Sequence, residues 1–244
     1  MYAVSTLVDL WRRAHKLPAQ SPPLEHPAGV TLPFDASVPP DIIVPELRAA
    51  ISSGDYAADV VRLLPWVLRQ GDRVLVVGDG FGMTSTLIAK SGLASAIIVA
   101  EPDPTLFQYL NAVHMRNDVS SVETMDAFPA VALNGRVPYF VRRDPRQSSL
   151  RPDDGASLRV SMTPRIDLDL LLADAQINLV IWSCAPSAAS TLADADLGPV
   201  DRILLVGADE FDTFGGEVPA TELLQCQEFA CSGRDGAVLL KRGG

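Results

Sequence analysis

RVLVVGDGFGMTSTLIAKSGLASAIIVAEPD, residues 73–103, decides the fold. It opens with an apolar run at 74–77 and places glycines at alternate positions, Gly78, Gly80 and Gly82. A helix-like segment follows at 84–90, then a second apolar run at 96–100 that stops at Glu101. Strand, glycine turn, helix, strand, acid is the layout of half a nucleotide-binding α/β domain. Glycine lets the chain turn sharply and lets a ligand approach without a Cβ in the way. The helix start turns unpaired N–H groups and a partial positive charge toward that ligand. An acid ending the second strand can accept both hydroxyl protons of a ribose.

The spacing narrows the ligand. A dinucleotide fingerprint needs G-x-G-x-x-G or Ala at its last position, and Met83 stands there. That side chain is too bulky for close helix–strand packing, which disfavours a nicotinamide-dependent oxidoreductase. No Gly-Lys-Ser/Thr follows, so a P-loop is excluded. G-x-G-x-G is instead the pattern of S-adenosylmethionine (SAM) sites in Rossmann-like methyltransferases. The competing reading is a glycine-rich turn that binds nothing.

Downstream, 102–117 reads as a helix with Leu106, Leu110 and Val113 inward and Asp103 as its cap. A third strand is expected at 120–125, ending at Asp126. Ligands of parallel sheets sit at the carboxyl ends of strands, so Gly78, Glu101 and Asp126 converge on one edge. The other reading of Asp126 is an N-cap for a helix at 127–133. A fourth strand, 177–182, leads through SCAPSAAS into a helix at 188–195, and a fifth is expected at 202–206. Asp209 and Glu210 form the mouth of that fifth strand, and a helix is expected at 221–228. Apolar runs at 229–232 and 237–241 flank Arg234-Asp235-Gly236, a tight-turn signal, so the chain ends in a β-hairpin. The expected fold is a Rossmann-like class I methyltransferase: a mostly parallel seven-stranded sheet with a C-terminal antiparallel hairpin.

Before residue 73 the pattern is mixed. Residues 2–16 carry Val4, Leu7, Val8 and Trp11 at helical spacing, an apolar stripe for packing on the domain or on a second copy. Eight prolines between 18 and 46 favour an extended connector, within which 29–33 reads as a short edge strand. Helices are expected at 45–52 and from Asp55, a candidate N-cap. The second has an apolar face of Val60, Val61, Leu63, Leu64, Trp66 and Val67, a break or kink at Pro65 and a stop at Gly71. The domain division is residues 1–46 as helix and Pro-rich extension, and 47–244 as the methyltransferase-like domain. Between the third and fourth main strands lies an insertion with strands at 137–141 and 158–162, and a short helix is expected at 166–172. The insertion's loop carries Arg142, Arg143, Arg146 and Arg151, either a solvated cluster or a contact for an anionic substrate.

Composition bounds the rest. The 244 residues are 48% apolar and 20% charged, ordinary for a globular protein. The net charge of −10 argues against general affinity for nucleic acid or anionic membranes. No run reaches transmembrane length, and the first residues put their basic pair after the apolar part, the wrong order for a secretory signal. Cys184, Cys226 and Cys231 have no zinc spacing, which suits reduced thiols in a cytoplasm. The expected partners are a small-molecule or glycan acceptor and, through the N-terminal stripe, a homodimer.

GDYAADVVRLLPWVLRQGDRVLVVGDGFG, IVAEPDPTLFQYLNAV, RQSSL, IDLDLLLADAQINLVIWS and EFACSGRDGAVLLKR together resemble the FkbM-type methyltransferases, SAM-dependent O-methyltransferases of sugars and secondary metabolites. The resemblance covers about Gly29 to Arg242. It implies that Gly78, Gly80 and Gly82 line the methionine end of SAM, that Glu101 holds the ribose, and that Asp126 with Ala127 meets the adenine. With their neighbours Asp79 and Pro102, these are the candidate cofactor residues; no metal site is expected. The chain departs from the family at Val76, which replaces a strand acid, and at Tyr56-Ala57, which replaces Tyr-Glu. After the fourth strand the family has a pattern close to Asp-x-Glu-Gly-x-Glu. Here Ser183, Cys184, Ala185, Pro186, Ser187 and Ala188 stand there, without an acid. O-methylation needs a hydroxyl made nucleophilic and aligned with the sulfonium methyl, work a carboxylate or a carboxylate-held metal can do. Asp209 and Glu210 are the remaining catalytic candidates. The alternative is a non-catalytic descendant that keeps the fold as a binding or scaffold module.

Overall fold

A computed structural model describes residues 23–33, 42, 44–131, 135–185, 191–206, 229–234 and 237–242. The expected helices at 2–16 and 221–228, part of that at 188–195, and the Asp209–Glu210 mouth lie outside these residues. The chain begins with a hairpin, β1 (Leu24–His26) and β2 (Val30–Leu32), then helices α1 (Pro45–Ser53) and α2 (Ala58–Val67). Next come β3 (Arg73–Val77), α3 (Met83–Ser91), β4 (Ala96–Ala100), α4 (Pro104–Arg116) and β5 (Val122–Met125). An insertion follows, built of β6 (Phe128–Ala130), β7 (Arg136–Val141) and β8 (Arg159–Asp167). Helix α5 (Leu168–Asp174), β9 (Leu179–Trp182), β10 (Arg202–Val206), β11 (Phe229–Arg234) and β12 (Ala237–Arg242) complete the order.

The main sheet has seven strands in the order β11-β12-β10-β9-β3-β4-β5. Every pairing from β5 to β10 is parallel, and β12 is antiparallel to both β10 and β11. This is the Rossmann-like class I methyltransferase fold with its closing hairpin. β3, β4, β9 and β10 are near-continuous apolar runs because both sheet faces are covered. Their side chains divide by the two-residue period of a strand. Leu75, Val77, Ile98, Ala100, Val180, Trp182, Ile203 and Leu205 join one core with the insertion and α5. Val74, Val76, Ile97, Val99, Leu179, Ile181, Leu204 and Val206 join the other, beneath α1–α4 and the β1–β2 hairpin.

A buried ion pair ties the amino edge together. Arg202 at the start of β10 donates to both carboxylate oxygens of Asp72, at 2.6 and 3.1 Å, and also to the Val67 carbonyl. Burial opposes the Asp72 charge, yet the guanidinium and the Arg69 N–H hold its pKa below the usual value.

Several local expectations are corrected. Asp55 does not cap α2; it accepts from Ser53 Oγ at 2.7 Å, and Ala57 occupies the cap position in the left-handed region, φ 55°. Pro65 stays inside α2, which stops at Leu68 rather than Gly71. Trp66 is 77% exposed, because Val60, Leu64 and Val67 take the face that meets the core. The segment after Asp126 forms strand β6, paired with β8, instead of a helix at 127–133. Ile166 and Asp167 finish β8, and the Asp167 carboxylate accepts the Leu170 N–H, so α5 begins two residues later than its pattern implies. The short strand within 29–33 exists but pairs with β1 rather than edging the main sheet. Among the described residues, no helix is long and apolar enough to cross a membrane.

Candidate functional site

The order of strands reverses at β3, which has β4 on one side and β9 on the other. In open α/β sheets ligands bind at such a switch point, outside the carboxyl ends. Three chain segments meet there. β3 runs into Gly78–Gly82, β4 ends at Glu101, and β9 ends at Ser183, whose N–H donates to the Val77 carbonyl at 2.8 Å.

The turn is shaped by contacts that only glycine allows. Gly78 has φ 73°, and a Cβ there would overlap Cys184 Sγ. Gly80 has φ 59°, and its Cβ position lies 3.1 Å from Pro145 Cβ and 3.4 Å from Tyr56 Oη. Gly82 precedes α3, whose first turn is capped from a distance. The Asp79 carboxylate accepts the N–H groups of Thr84 and Ser85, each at 2.9 Å. Burial pushes the Asp79 carboxyl up to about 6 against those hydrogen bonds.

Glu101 closes the turn from the neighbouring strand. One carboxylate oxygen accepts the Gly80 N–H at 2.8 Å, and the other the Asp103 N–H at 3.1 Å. The residue is only 1% exposed, and burial pushes its carboxyl up to about 8; the Asp103 and Asp79 charges add to this against the two N–H groups. Asp103 caps α4 through the Thr105 N–H at 2.9 Å, as expected, and also pairs with Arg159 of the insertion. Pro102 is buried, and its carbonyl accepts from Thr163 Oγ1 at 2.6 Å. Asp126 lies on the same edge, exposed beyond β5, and Ala127 behind it is buried. The structure thus brings Gly78, Asp79, Gly80, Gly82, Glu101 and Pro102 together and sets Asp126 and Ala127 at the adjoining strand end.

The expected departure after the fourth strand is visible as chemistry. Ser183, Cys184 and Ala185 are all buried. Cys184 Sγ lies 3.5 Å from Tyr139 Oη, and burial pushes its thiol up to about 12, so it is no nucleophile at neutral pH. His114 is a packing residue: it meets Ser85 Oγ at 2.7 Å, and burial lowers its pKa to about 4. Among the described residues, no group of three His, Cys, Asp or Glu side chains is placed to hold a metal.

The four arginines of the insertion divide: Arg143 and Arg151 are exposed, as a solvated cluster would be, while Arg142 and Arg146 are drawn in. Arg142 is buried and donates to Phe140 O, Gln147 O, Ser149 Oγ and Arg151 O at 2.8–3.2 Å, folding the loop upon itself. Arg146 lies 5.2 Å over the Tyr56 ring, 3.6 Å from Asp59 and 3.2 Å from Asp144. Tyr56 in turn packs on Phe81 of the glycine turn, with ring centres 5.7 Å apart. Sequence reading noticed Tyr56 and Arg146 separately; the left-handed start of α2 and the fold-back of the insertion bring them together.

The residue types suit a SAM-like ligand, a glycine turn and a carboxylate at neighbouring strand ends, but their polar groups are taken up within the protein: the N–H groups of Gly78, Gly80 and Gly82 all donate internally, and Asp79 caps the helix start. The space does not suit that ligand in this conformation. Pro145 and Tyr56 stand against Gly80, and both Glu101 oxygens are occupied by backbone N–H groups.

No family model matches the chain, and no curated protein matches it. Solved structures do. The magnesium protoporphyrin IX methyltransferase of Synechocystis PCC 6803, solved with bound SAM, aligns at TM-score 0.48 and 13% identity, over 99% of this chain and 94% of that one. The ribosomal protein L11 methylase of Lactobacillus delbrueckii subsp. bulgaricus aligns at 0.48 and 9%, over 78% and 80%. The precorrin-6y C5,15-methyltransferase of Geobacter metallireducens GS-15 aligns at 0.46 and 14%, over 77% and 86%.

Proposed function

We propose that this protein binds SAM and is a methyltransferase of the FkbM type, acting on an oxygen of a small metabolite or glycan. One observation supports the cofactor half: the glycine turn after β3 and Glu101 after β4 stand side by side at the carboxyl ends of neighbouring strands, at the switch point of the sheet. The glycine turn, Glu101 and Asp126 are the residues we assign to the methionine end, the ribose and the adenine. When bound, SAM supplies an electrophilic methyl group on sulfur. The quoted motifs support the FkbM assignment, and the net charge of −10 favours a small acceptor over nucleic acid.

A specific observation favours a second reading, a fold retained for binding or scaffolding. Ser183, Ala185 and Ala188 stand where the resembling family carries acids; Ser183 and Ala185 are buried, and Ala188 lies outside the described residues. Asp209 and Glu210 are the groups we assign to the acceptor if transfer occurs. The test is release of S-adenosylhomocysteine from SAM across a panel of hydroxylated acceptors. Turnover that falls at least tenfold in Asp209→Asn or Glu210→Gln supports the first reading. SAM binding with no turnover on any acceptor supports the second.

A further inference from the structure

The segment 142–149 lies against the glycine turn, with Pro145, Ser148 and Ser149 buried and Ser149 bridged to Phe140 of β7. Its base is rigid: Arg142 ties together Phe140, Gln147, Ser149 and Arg151, so the segment moves as a unit. Pro145, inside the 3₁₀ turn Pro145–Gln147, rests its ring on Gly80. On one side Arg146 reaches α2 through the Tyr56 ring and Asp59. On the other side Ala185 N–H donates to the Ser148 carbonyl at 3.1 Å, joining the segment to the loop after β9.

We propose that 142–149 is a latch that covers the glycine turn and must lift before a ligand reaches Gly80 and Glu101. The identity of that ligand as SAM rests on the function proposed above; the latch does not. The fastening contacts are of the weak kind: a partly exposed ion pair, a cation stacked on a ring, and one backbone hydrogen bond. A closed state held this way exchanges with an open one at equilibrium. A ligand that needs the open state has its apparent affinity reduced by the open fraction. The insertion thus places a conformational control directly on the switch point. Arg146 acts through Tyr56 and Pro145 as a positioning residue; it makes no contact with a ligand.

Hydrogen exchange of the full chain, without ligand, separates the latch from the cofactor reading. The Gly80 amide donates to the Glu101 carboxylate beneath Pro145, so its exchange reads the opening that frees both groups, while the Gly78 amide continues the β3–β4 pairing through Ala100 O and serves as a control. Arg146→Ala removes both the ion pair with Asp59 and the stack on Tyr56, whereas Asp59→Asn removes the ion pair alone. Exchange at Gly80 is expected to speed by about tenfold in Arg146→Ala, the order for loss of an ion pair with its ring stack, and by about two- to fivefold in Asp59→Asn, the order for the ion pair alone. Amides of β10 serve as the control for global folding and are expected to be unchanged. Unchanged exchange at Gly80 in both variants, with β10 equally protected, overturns the latch. Titration of the same variants with SAM reads the cofactor: tighter binding than wild type by a similar factor supports it. Faster exchange without SAM binding at millimolar ligand leaves the latch standing and overturns the SAM reading.

Discussion

The Glu101 carboxylate accepts the Gly80 N–H at 2.8 Å while almost wholly excluded from water. Its pKa is raised from an ordinary 4.5 to about 8, burial being the largest cause. The folded chain therefore holds a proton there that the unfolded chain has released. Across the window from about 4.5 to 8, stability contributed by neutral Glu101 is full at the low end and is lost as pH rises. Asp79 acts with the same sign between 3.8 and about 6. Glu101→Gln removes the first titration. Melting temperatures measured from pH 5 to 8.5 are expected to fall more steeply for wild type than for the variant; parallel curves would refute the assignment.

Asp72 and Arg202 form the buried pair of the amino edge, each 2% exposed. Removing one partner strands a charge in the interior. Asp72→Ala is expected to cost about 3–5 kcal/mol. Urea unfolding should show a lowered midpoint at unchanged slope. A shift under about 1 kcal/mol would mean that water reaches the pair.

Gly78 and Cys184 touch across the ends of β3 and β9. Gly78→Ala pays for a left-handed backbone, about 1–2 kcal/mol, and for collision with the thiol. Replacing Cys184 with Ala removes the sulfur but not the backbone strain. In a double-mutant cycle by denaturant unfolding, the double variant should therefore be more stable than the sum of the single costs by about 0.5–3 kcal/mol. Strict additivity would contradict the contact.

The sequence makes the main sheet readable because β3, β4, β9 and β10 are uninterrupted apolar runs that no other arrangement can bury on both faces. The glycine turn, Glu101 and the closing hairpin were legible for the same reason: each has a local signature. Other features are not local. Asp72 and Arg202 are 130 residues apart, and neither sits in a pattern that announces a partner. Asp79 caps α3 at Thr84 and Ser85, outside the capping-box spacing, so its carboxylate read as a ligand contact from sequence. Arg142 could not be told from its exposed neighbours Arg143 and Arg151, because loop composition says nothing about a guanidinium folding back on its own carbonyls. Trp66 read as core because a helical face is chosen by what packs on it, and here α2 turns Val60, Leu64 and Val67 inward.

Calorimetric titration of the full chain with SAM, wild type beside Glu101→Ala, tests the central claim most directly. Saturable heat is expected for wild type, with an affinity weaker by about 1–3 kcal/mol in the variant, the cost of leaving buried hydrogen-bonding groups without their partner. No heat at millimolar SAM from wild type or from the latch variant Arg146→Ala would contradict it.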